Sequence, residues 1–527
     1  MSSADVLTDA ALSVRHGGNQ PPIPEGSLAA MLRDRAERFG DRPALLVPQE
    51  GGGVAPISYA EMVARAENVA LWLKDRCEPG SRVVIWSRNA LESVIVQHAC
   101  ALAGMVVAHF NTGWTDPEVR HACALIEPSL GFAGLGFRDA DLGERLAPVA
   151  NFPVLTLSDV AAIAETPRIG DLPDPGADAP CLIQFTSGTT GKSKGALLSH
   201  RCVIYGGWLR PAVYGGNEDD VWLNAVAYHH IGGSIAIMVG ALATASAFVV
   251  LERYNRDQTV QLMRELRPSR MGGVPTMWHD ILASPALPSD RAVRIVTLGG
   301  ASVPPSLVRE VMEKTGGTVA TGYGQSESGA ITNTVPEDSV DLLCETIGRA
   351  SPHTEVMIAH PETGEALPIG EVGEICARSP GNMTEYWGNP EATAETIRAD
   401  GFLRTGDLGS MDKKGYVRFA GRTREVIIRG GENIYPAEVE DALLSHPAVD
   451  QAAVVKVPHA RLGHEVGAVV TLTDGAEAEF SELEAHVAQR VAHFKVPRHW
   501  RVVEAMPLTV SGKIRKVELE KLFEAEL

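Results

Sequence analysis

The sequence predicts an α/β protein. It has a large N-terminal region of parallel-sheet α/β subdomains, a small β-barrel-like subdomain, and a small α+β domain at the C-terminal end. Three observations predict this. Short β-branched runs alternate with stretches of helical spacing up to about residue 335, an order that gives parallel strands with right-handed crossovers. From roughly 335 to 420 short strands follow one another between Gly and Pro turns. After Gly421 the pattern returns to mixed helix and strand for about 100 residues.

The elements read in order as follows. Ser27 caps a run in which Leu28, Leu32, Ala36 and Phe39 fall on one helical face, and Gly40 ends it. Arg82–Trp86 reads as a strand, a helix follows to about Ala103, and Met105–His109 reads as the next strand. The alternation recurs at Cys181–Phe185, at Val293–Leu298 and, after a helix over Ser306–Lys314, at Thr318–Gly322. Glu355–Ala359, Glu374–Arg378 and Tyr416–Phe419 are the short strands of the barrel-like part. Beyond it a helix starts at Pro436, and strands follow at Ala453–Val457 and Val466–Leu472. Ser481 and Glu484 have capping-box spacing over Leu483, Val487 and Val491, and Trp500–Val503 closes the unit.

The bulk properties exclude several function classes. The 527 residues are enough for three to four units of ~150 residues. A hydrophobic share of 45% against 21% charged excludes wholesale disorder, and 52 glycines with 33 prolines predict many turns. The net charge of −19 repels polyanions, so a broad nucleic-acid or anionic-lipid face is not expected. Seven scattered cysteines without a CxxC pair point to a reducing compartment. The first 25 residues carry no secretory pattern, and a cytoplasmic location is expected. Ile231–Leu251 is uncharged for 21 residues, long enough to span a bilayer. Its internal Gly, Ser and Thr and the later Phe248-Val249-Val250-Leu251 instead predict a buried helix followed by a buried strand.

The most informative stretch is Thr186-Ser187-Gly188-Thr189-Thr190-Gly191-Lys192-Ser193-Lys194-Gly195, directly after an apolar strand. Its glycines let the backbone approach an anion, its hydroxyls donate, and its lysines supply charge, as a polyphosphate site requires. Two alternatives stand beside this. A Walker A loop needs glycine where Thr186 stands, and no strand ending in a metal-holding Asp follows; a polar surface loop is the other. Further on, Gly299-Gly300-Ala301 and Tyr323-Gly324-Gln325-Ser326-Glu327 end two strands of one βαβ unit. Bare Gly300 and the Tyr323 ring would then sandwich a planar base. His229-His230-Ile231-Gly232-Gly233 reads as a pocket wall rather than a metal site, because adjacent histidines do not share a helix face.

These motifs, with Arg404-Thr405-Gly406-Asp407, Gly421-Arg422, Gly430-Gly431-Glu432 and Ser511-Gly512-Lys513, resemble the adenylate-forming superfamily of acyl-CoA synthetases, peptide-synthetase adenylation domains and beetle luciferases. The resemblance covers about residues 25–520 and is similar in detail to the acyl-CoA synthetase branch. It implies a nucleotide site built from Thr186, Ser187, Gly188, Thr189, Thr190, Gly191, Lys194, Gly300, Ala301, Ser302, Tyr323, Gly324, Gln325, Ser326, Asp407 and Arg422. Asp407 would accept both ribose hydroxyls, as an acceptor-only carboxylate suits a diol. The resemblance also implies Mg²⁺ on Glu327, and catalytic roles for Thr186, Lys194, Glu327 and above all Lys513. His230, Gly232 and Gly322 would line the acyl pocket, and Gly430 and Gly431 a coenzyme A channel. Residues 1–421 would form the adenylate-forming domain and 422–527 a mobile domain hinged near Arg424.

The expected partners are a carboxylic acid, ATP and coenzyme A, with no nucleic acid and no membrane span; a homodimer stays open. The acid, whether fatty, aromatic or alicyclic, is not readable. A free-standing enzyme that loads a carrier protein is the main alternative, followed by a P-loop NTPase and a non-catalytic nucleotide binder. The sequence departs from the family at Ser193 (usually Pro), Ser326 (usually Thr), Arg424 (usually Asp or Lys), His459 (often Asp) and Ala227-Tyr228-His229, where Pro, an apolar residue and an aromatic are usual. The last departure leaves the acyl gate open.

Overall fold

Two seven-stranded sheets dominate the N-terminal part. The computed structural model describes residues 11–136, 139–186, 193–288, 293–299, 303–430, 432–459, 461–473, 475–508 and 514–524. The first sheet runs Glu385–Tyr386, Lys194–Ser199, Pro180–Thr186, Val106–His109, Arg82–Trp86, Leu130–Ala133, Val154–Thr156. Its last five strands are parallel. The second runs Thr318–Ala320, Ile295–Leu298, Arg270–Gly273, Val221–Leu223, Ala247–Val249, Pro43–Pro48, Val54–Ser58, parallel except for the final hairpin. Strands buried on both faces explain the continuous apolar runs Arg82–Trp86 and Val106–His109. Helix Leu91–Ala103 is buried along nearly its whole length and ends on Gly104 at φ 68, a left-handed turn that glycine adopts without strain.

The change of pattern after residue 335 corresponds to an antiparallel sheet, Val14–His16, Glu355–Ala359, Gly373–Arg378, Leu403–Met411, Val417–Arg422. The C-terminal sheet runs Glu432–Ile434, Ile427–Arg429, Gly463–Leu472, Val449–His459, with His499–Val502 added parallel to Gly463–Leu472. The uncharged stretch folds as expected: a π-helix Gly232–Ile237 leads into helix Met238–Thr244 and buried strand Ala247–Val249. Among the described residues, no helix is long and apolar enough to cross a membrane.

Two local expectations need correction. The loop after Pro180–Thr186 enters no helix but the antiparallel strand Lys194–Ser199, which removes the Walker A alternative, since that motif needs a helix N-terminus. The capping box at Ser481 is not formed. Helix Phe480–Ala488 starts on Glu479, and Glu484 pairs with Arg498 at 2.6 Å. Phe480 stacks on Trp500 with ring centroids 5.9 Å apart, which holds the chain in helical register one residue before Ser481.

The second sheet is pinned by a buried charge cluster. Asp220 receives Arg270 Nε and Arg294 Nη2 at 2.6 Å each and Ser269 Oγ at 2.6 Å, with Asp220 and Arg270 only 2% and 4% exposed. Burial alone would raise the Asp220 pKa, but these donors together hold it below the ordinary 3.8. Its contribution is therefore complete above pH 3.8 and is lost as pH falls through the lower native value. Asp220→Ala leaves Arg270 buried and unpaired, and is expected to cost about 3–5 kcal/mol, read as a large fall in the thermal midpoint at neutral pH.

Candidate active site

One hairpin carries two clusters of polar side chains. Strands Gly322–Gln325 and Gly329–Asn333 pair antiparallel, with Ser326 and Glu327 in the turn. The sequence reads one strand over Thr318–Gly322; the structure ends it at Ala320 and starts a separate strand, Gly322–Gln325, that includes Tyr323. Gly324 is demanded by this pairing, since a Cβ there would lie 2.0 Å from the Gly329 carbonyl oxygen.

At the turn, the phenol of Tyr386 donates to Glu327 Oε1 at 2.8 Å, and Met383 N donates to the Glu327 carbonyl at 2.6 Å. Tyr386 sits on the edge strand opposite Ala196, and Lys194 Nζ lies 4.7 Å from its ring centroid. Lys194 in turn is the register partner of Thr186. The base of the hydroxyl-rich loop is thus joined to Glu327 through one tyrosine. Burial, with the Glu327 carboxylate second, raises the Tyr386 pKa, so the phenol remains a donor. Sequence reasoning missed Tyr386, and nothing in its local motif marks it. Ser187, Gly188, Thr189, Thr190 and Gly191 lie outside the described residues.

At the other end of the strand, Tyr323 Oη donates to Asp407 Oδ2 at 2.6 Å, and Arg422 Nε lies 3.4 Å from Asp407 Oδ1. Asp407 and Arg422 face each other across the barrel sheet. Each residue of Arg404-Thr405-Gly406-Asp407 has a part in aiming the carboxylate. Arg404 holds the buried Glu374 at 2.6 Å, and Glu374 Oε1 accepts from Gly406 N at 3.0 Å. Gly406 turns through φ 72, and Asp407 N donates to Thr405 Oγ1 at 3.1 Å. Burial, reinforced by Asp407, pushes the Tyr323 phenol well above its ordinary range. Gly300, Ala301 and Ser302, expected on the other side of the base, lie outside the described residues.

The backbone expected to line the acyl pocket is closely packed on the Cβ side of Gly232, Gly233 and Gly322. An added Cβ would meet His230 Nδ1 at 3.2 Å, the Ala227 carbonyl at 2.4 Å and the Thr332 carbonyl at 2.6 Å, respectively. His230 Nδ1 accepts from Gly232 N at 3.0 Å. Next to it, Gln184 Nε2 donates to the His229 carbonyl at 2.8 Å, Gln97 Nε2 to the Ser234 carbonyl at 2.8 Å, and His109 Nε2 meets Gln97 Oε1 at 2.8 Å. Burial lowers His109 to about 3 and, with His230 second, His229 to about 4, so both imidazoles are neutral at pH 7. Gln97, His109 and Gln184 were missed because each lies in an apolar run that reads only as core.

Arg424 occupies the single turn Thr423–Glu425 between the barrel sheet and the first C-terminal strand. Gly430 has φ 61, while Gly431 and Lys513 lie outside the described residues. The residues present suit Mg²⁺: one Glu327 oxygen is tied to Tyr386, leaving the other for a hard cation. Among the described residues no group of three or more metal-ligating side chains occurs, in keeping with an ion held by one carboxylate and substrate phosphates.

Comparison with known proteins gives consistent matches along the chain. Residues 32–387 match the AMP-binding enzyme family and 438–513 its C-terminal domain. The mitochondrial medium-chain acyl-CoA ligase ACSF2 of Rattus norvegicus is 32% identical over 98% of this chain and 90% of its own length. The putative acyl-CoA synthetase YngI of Bacillus subtilis is 31% identical over 94% and 96%. ATP-bound MatB from Rhodopseudomonas palustris superposes with a TM-score of 0.85 at 31% identity, covering 94% of this chain and 99% of that one. The AMP complex of O-succinylbenzoate coenzyme A synthetase from Bacillus subtilis gives 0.81 at 26%, covering 93% and 98%. Two family domains in order, and relatives alike over nearly their whole length, leave one assignment: the chain belongs to the AMP-binding enzymes, the adenylate-forming superfamily, in its acyl-CoA synthetase branch of AMP-forming acid–thiol ligases.

Proposed function

We propose that this ATP-dependent carboxylate–CoA ligase acts on medium-chain fatty acids through the residues assembled on the Gly322–Asn333 hairpin. The observation that carries the site assignment is that hairpin: one end is tied to Asp407 and Arg422, the other through Tyr386 to Lys194. These ties support a ribose-binding carboxylate and a phosphate-binding loop serving the two ends of one nucleotide.

Asp407 accepts the ribose hydroxyls while Tyr323 and Arg422 hold it in place, and the Tyr323 ring stacks on the base. Thr186 and Lys194, with the loop between them, bind the triphosphate. Glu327, oriented by Tyr386, would hold Mg²⁺, which supplies neutralising charge for the phosphates. In the first half-reaction a carboxylate oxygen attacks the α-phosphorus, the bond to the bridging oxygen breaks, and pyrophosphate leaves. Lys513 stabilises the charge that develops there. In the second, the CoA thiol attacks the acyl carbonyl, AMP departs, and the thiol proton is released. Between them residues 422–527 turn against 1–421 about Arg424, which lies in the one short turn joining the two sheets.

His109 and His229, kept neutral by burial, support an acid without a second charge. The medium-chain ligases among the relatives support the chain length. Seven unpaired cysteines, most of them buried, support a reducing compartment, which we take as the cytoplasm. Acid-dependent ATP–pyrophosphate exchange across a carboxylate panel tests the proposal. Exchange is expected to peak with medium-chain monocarboxylates. A maximum with dicarboxylates or aryl acids would overturn the acid assignment, and no exchange with any acid would overturn the function.

A further inference from the structure

Lys516 opens the last helix, Lys516–Glu524, and has no part in the site described above. Its Nζ lies 2.9 Å from Glu425 Oε2 and 2.7 Å from Glu440 Oε1, with the side chain only 20% exposed. Glu425 ends the turn that contains Arg424. Glu440 belongs to helix Pro436–Leu444, and its Oε1 also accepts from Val454 N at 2.7 Å in strand Val449–His459. One ammonium group therefore ties together the hinge turn, the helix after it and the end of the chain.

What it anchors is the described chain that follows Lys513 in sequence. Leu508 and Ile514 form an antiparallel bridge, and Arg515 N donates to the Pro507 carbonyl at 2.8 Å. These bonds pair the chain up to Leu508 with Ile514 and Arg515, the two residues directly before Lys516. On the far side, Glu425 Oε1 lies 3.7 Å from Arg422 Nη1, and Arg422 lies 3.4 Å from Asp407. A run of alternating charge thus leads from Asp407 through Arg422 and Glu425 to Lys516. Burial by itself would lower the Lys516 pKa, but Glu440 and Glu425 outweigh it and keep the group an ammonium ion. So costly a buried cation needs both partners in good geometry, which makes the cluster a rigid fixture rather than a loose surface pair.

We propose that Lys516 is a positioning residue of the adenylation half-reaction: it fixes the chain three residues after Lys513 to the hinge turn and so limits where Lys513 can be delivered. This rests on the adenylation role given above to Lys513. A reacting group misplaced by about 1 Å can cost about 10²-fold in rate. Lys516→Met, with nearly the same length and no charge, is compared with Lys516→Arg and wild type in the full-length enzyme. Acyl-adenylate formation and thioester formation from supplied acyl-adenylate are timed separately.

The expected result for Lys516→Met is a fall in the adenylation kcat of about 10–10²-fold with KM for ATP held within about twofold. Thioester formation should stay within about threefold of wild type, and Lys516→Arg should recover most of the adenylation rate. Equal losses in both half-reactions, an unchanged adenylation rate, or no rescue by arginine would overturn the inference while leaving the ligase reading intact. A wild-type enzyme without acid-dependent pyrophosphate exchange would overturn the reading itself. Should Lys516→Met fail to fold, Glu425→Gln leaves Lys516 paired with Glu440 and is expected to give the same split on a smaller scale.

Discussion

Lys513→Ala is expected to slow acyl-adenylate formation by about 10³-fold while thioester formation from supplied acyl-adenylate continues at nearly the wild-type rate. The asymmetry follows from where the charge is needed. As the carboxylate oxygen approaches the α-phosphorus, negative charge builds on the bridging oxygen that leaves with pyrophosphate, and a cation there acts on the transition state more than on bound ATP. Once the adenylate exists that charge has gone, and attack by the thiol has no use for the same group. KM for ATP should therefore change little while kcat collapses, a pattern that marks an interaction made only in the transition state. Single-turnover measurement of pyrophosphate release, with thioester formation followed in parallel, checks it. A similar loss in both half-reactions would instead mean that alanine had weakened the pairing of Leu508 with Ile514.

Much of this site could be read from the sequence because its parts are local. Thr186 and Lys194 stand at the two ends of one loop, and Tyr323 and Glu327 on one hairpin, so a short motif captures their geometry. Asp407 and Arg422 are farther apart, yet the regular antiparallel register of the barrel sheet brings them opposite each other. What escaped depends on contacts between distant segments. Tyr386 reaches Glu327 across 59 positions, and Lys516 reaches Glu425 across 91. No periodicity encodes such pairs. Burial has the same effect on the histidines: His109 ends an apolar strand, and its neutral state arises from neighbours that its own run does not mention.

Asp407→Ala tests the other end of the nucleotide, and here the expected loss is in binding rather than in rate. An ionised carboxylate has two oxygens and about four lone-pair directions. Tyr323 takes one direction on Oδ2 and Arg422 faces Oδ1, and a bound vicinal diol would donate one hydrogen bond to each oxygen. Hydrogen bonds to a charged acceptor are worth about 1.5–3 kcal/mol each, so losing two predicts an ATP affinity at least about 10²-fold weaker. Alanine also leaves the buried Tyr323 phenol without its acceptor, which disturbs the ring that stacks on the base. Asp407→Asn separates these effects. It keeps the shape and one carbonyl acceptor but loses the charge, and should fall between wild type and alanine. Calorimetric titration should show the ATP loss with acid binding unchanged, because the partner proposed for Asp407 is the ribose and not the acid. An alanine variant that binds ATP as tightly as wild type would mean that Glu374, Arg404 and Thr405 orient a carboxylate whose partner is only Tyr323. The hairpin would then be a structural tie rather than one end of a nucleotide site.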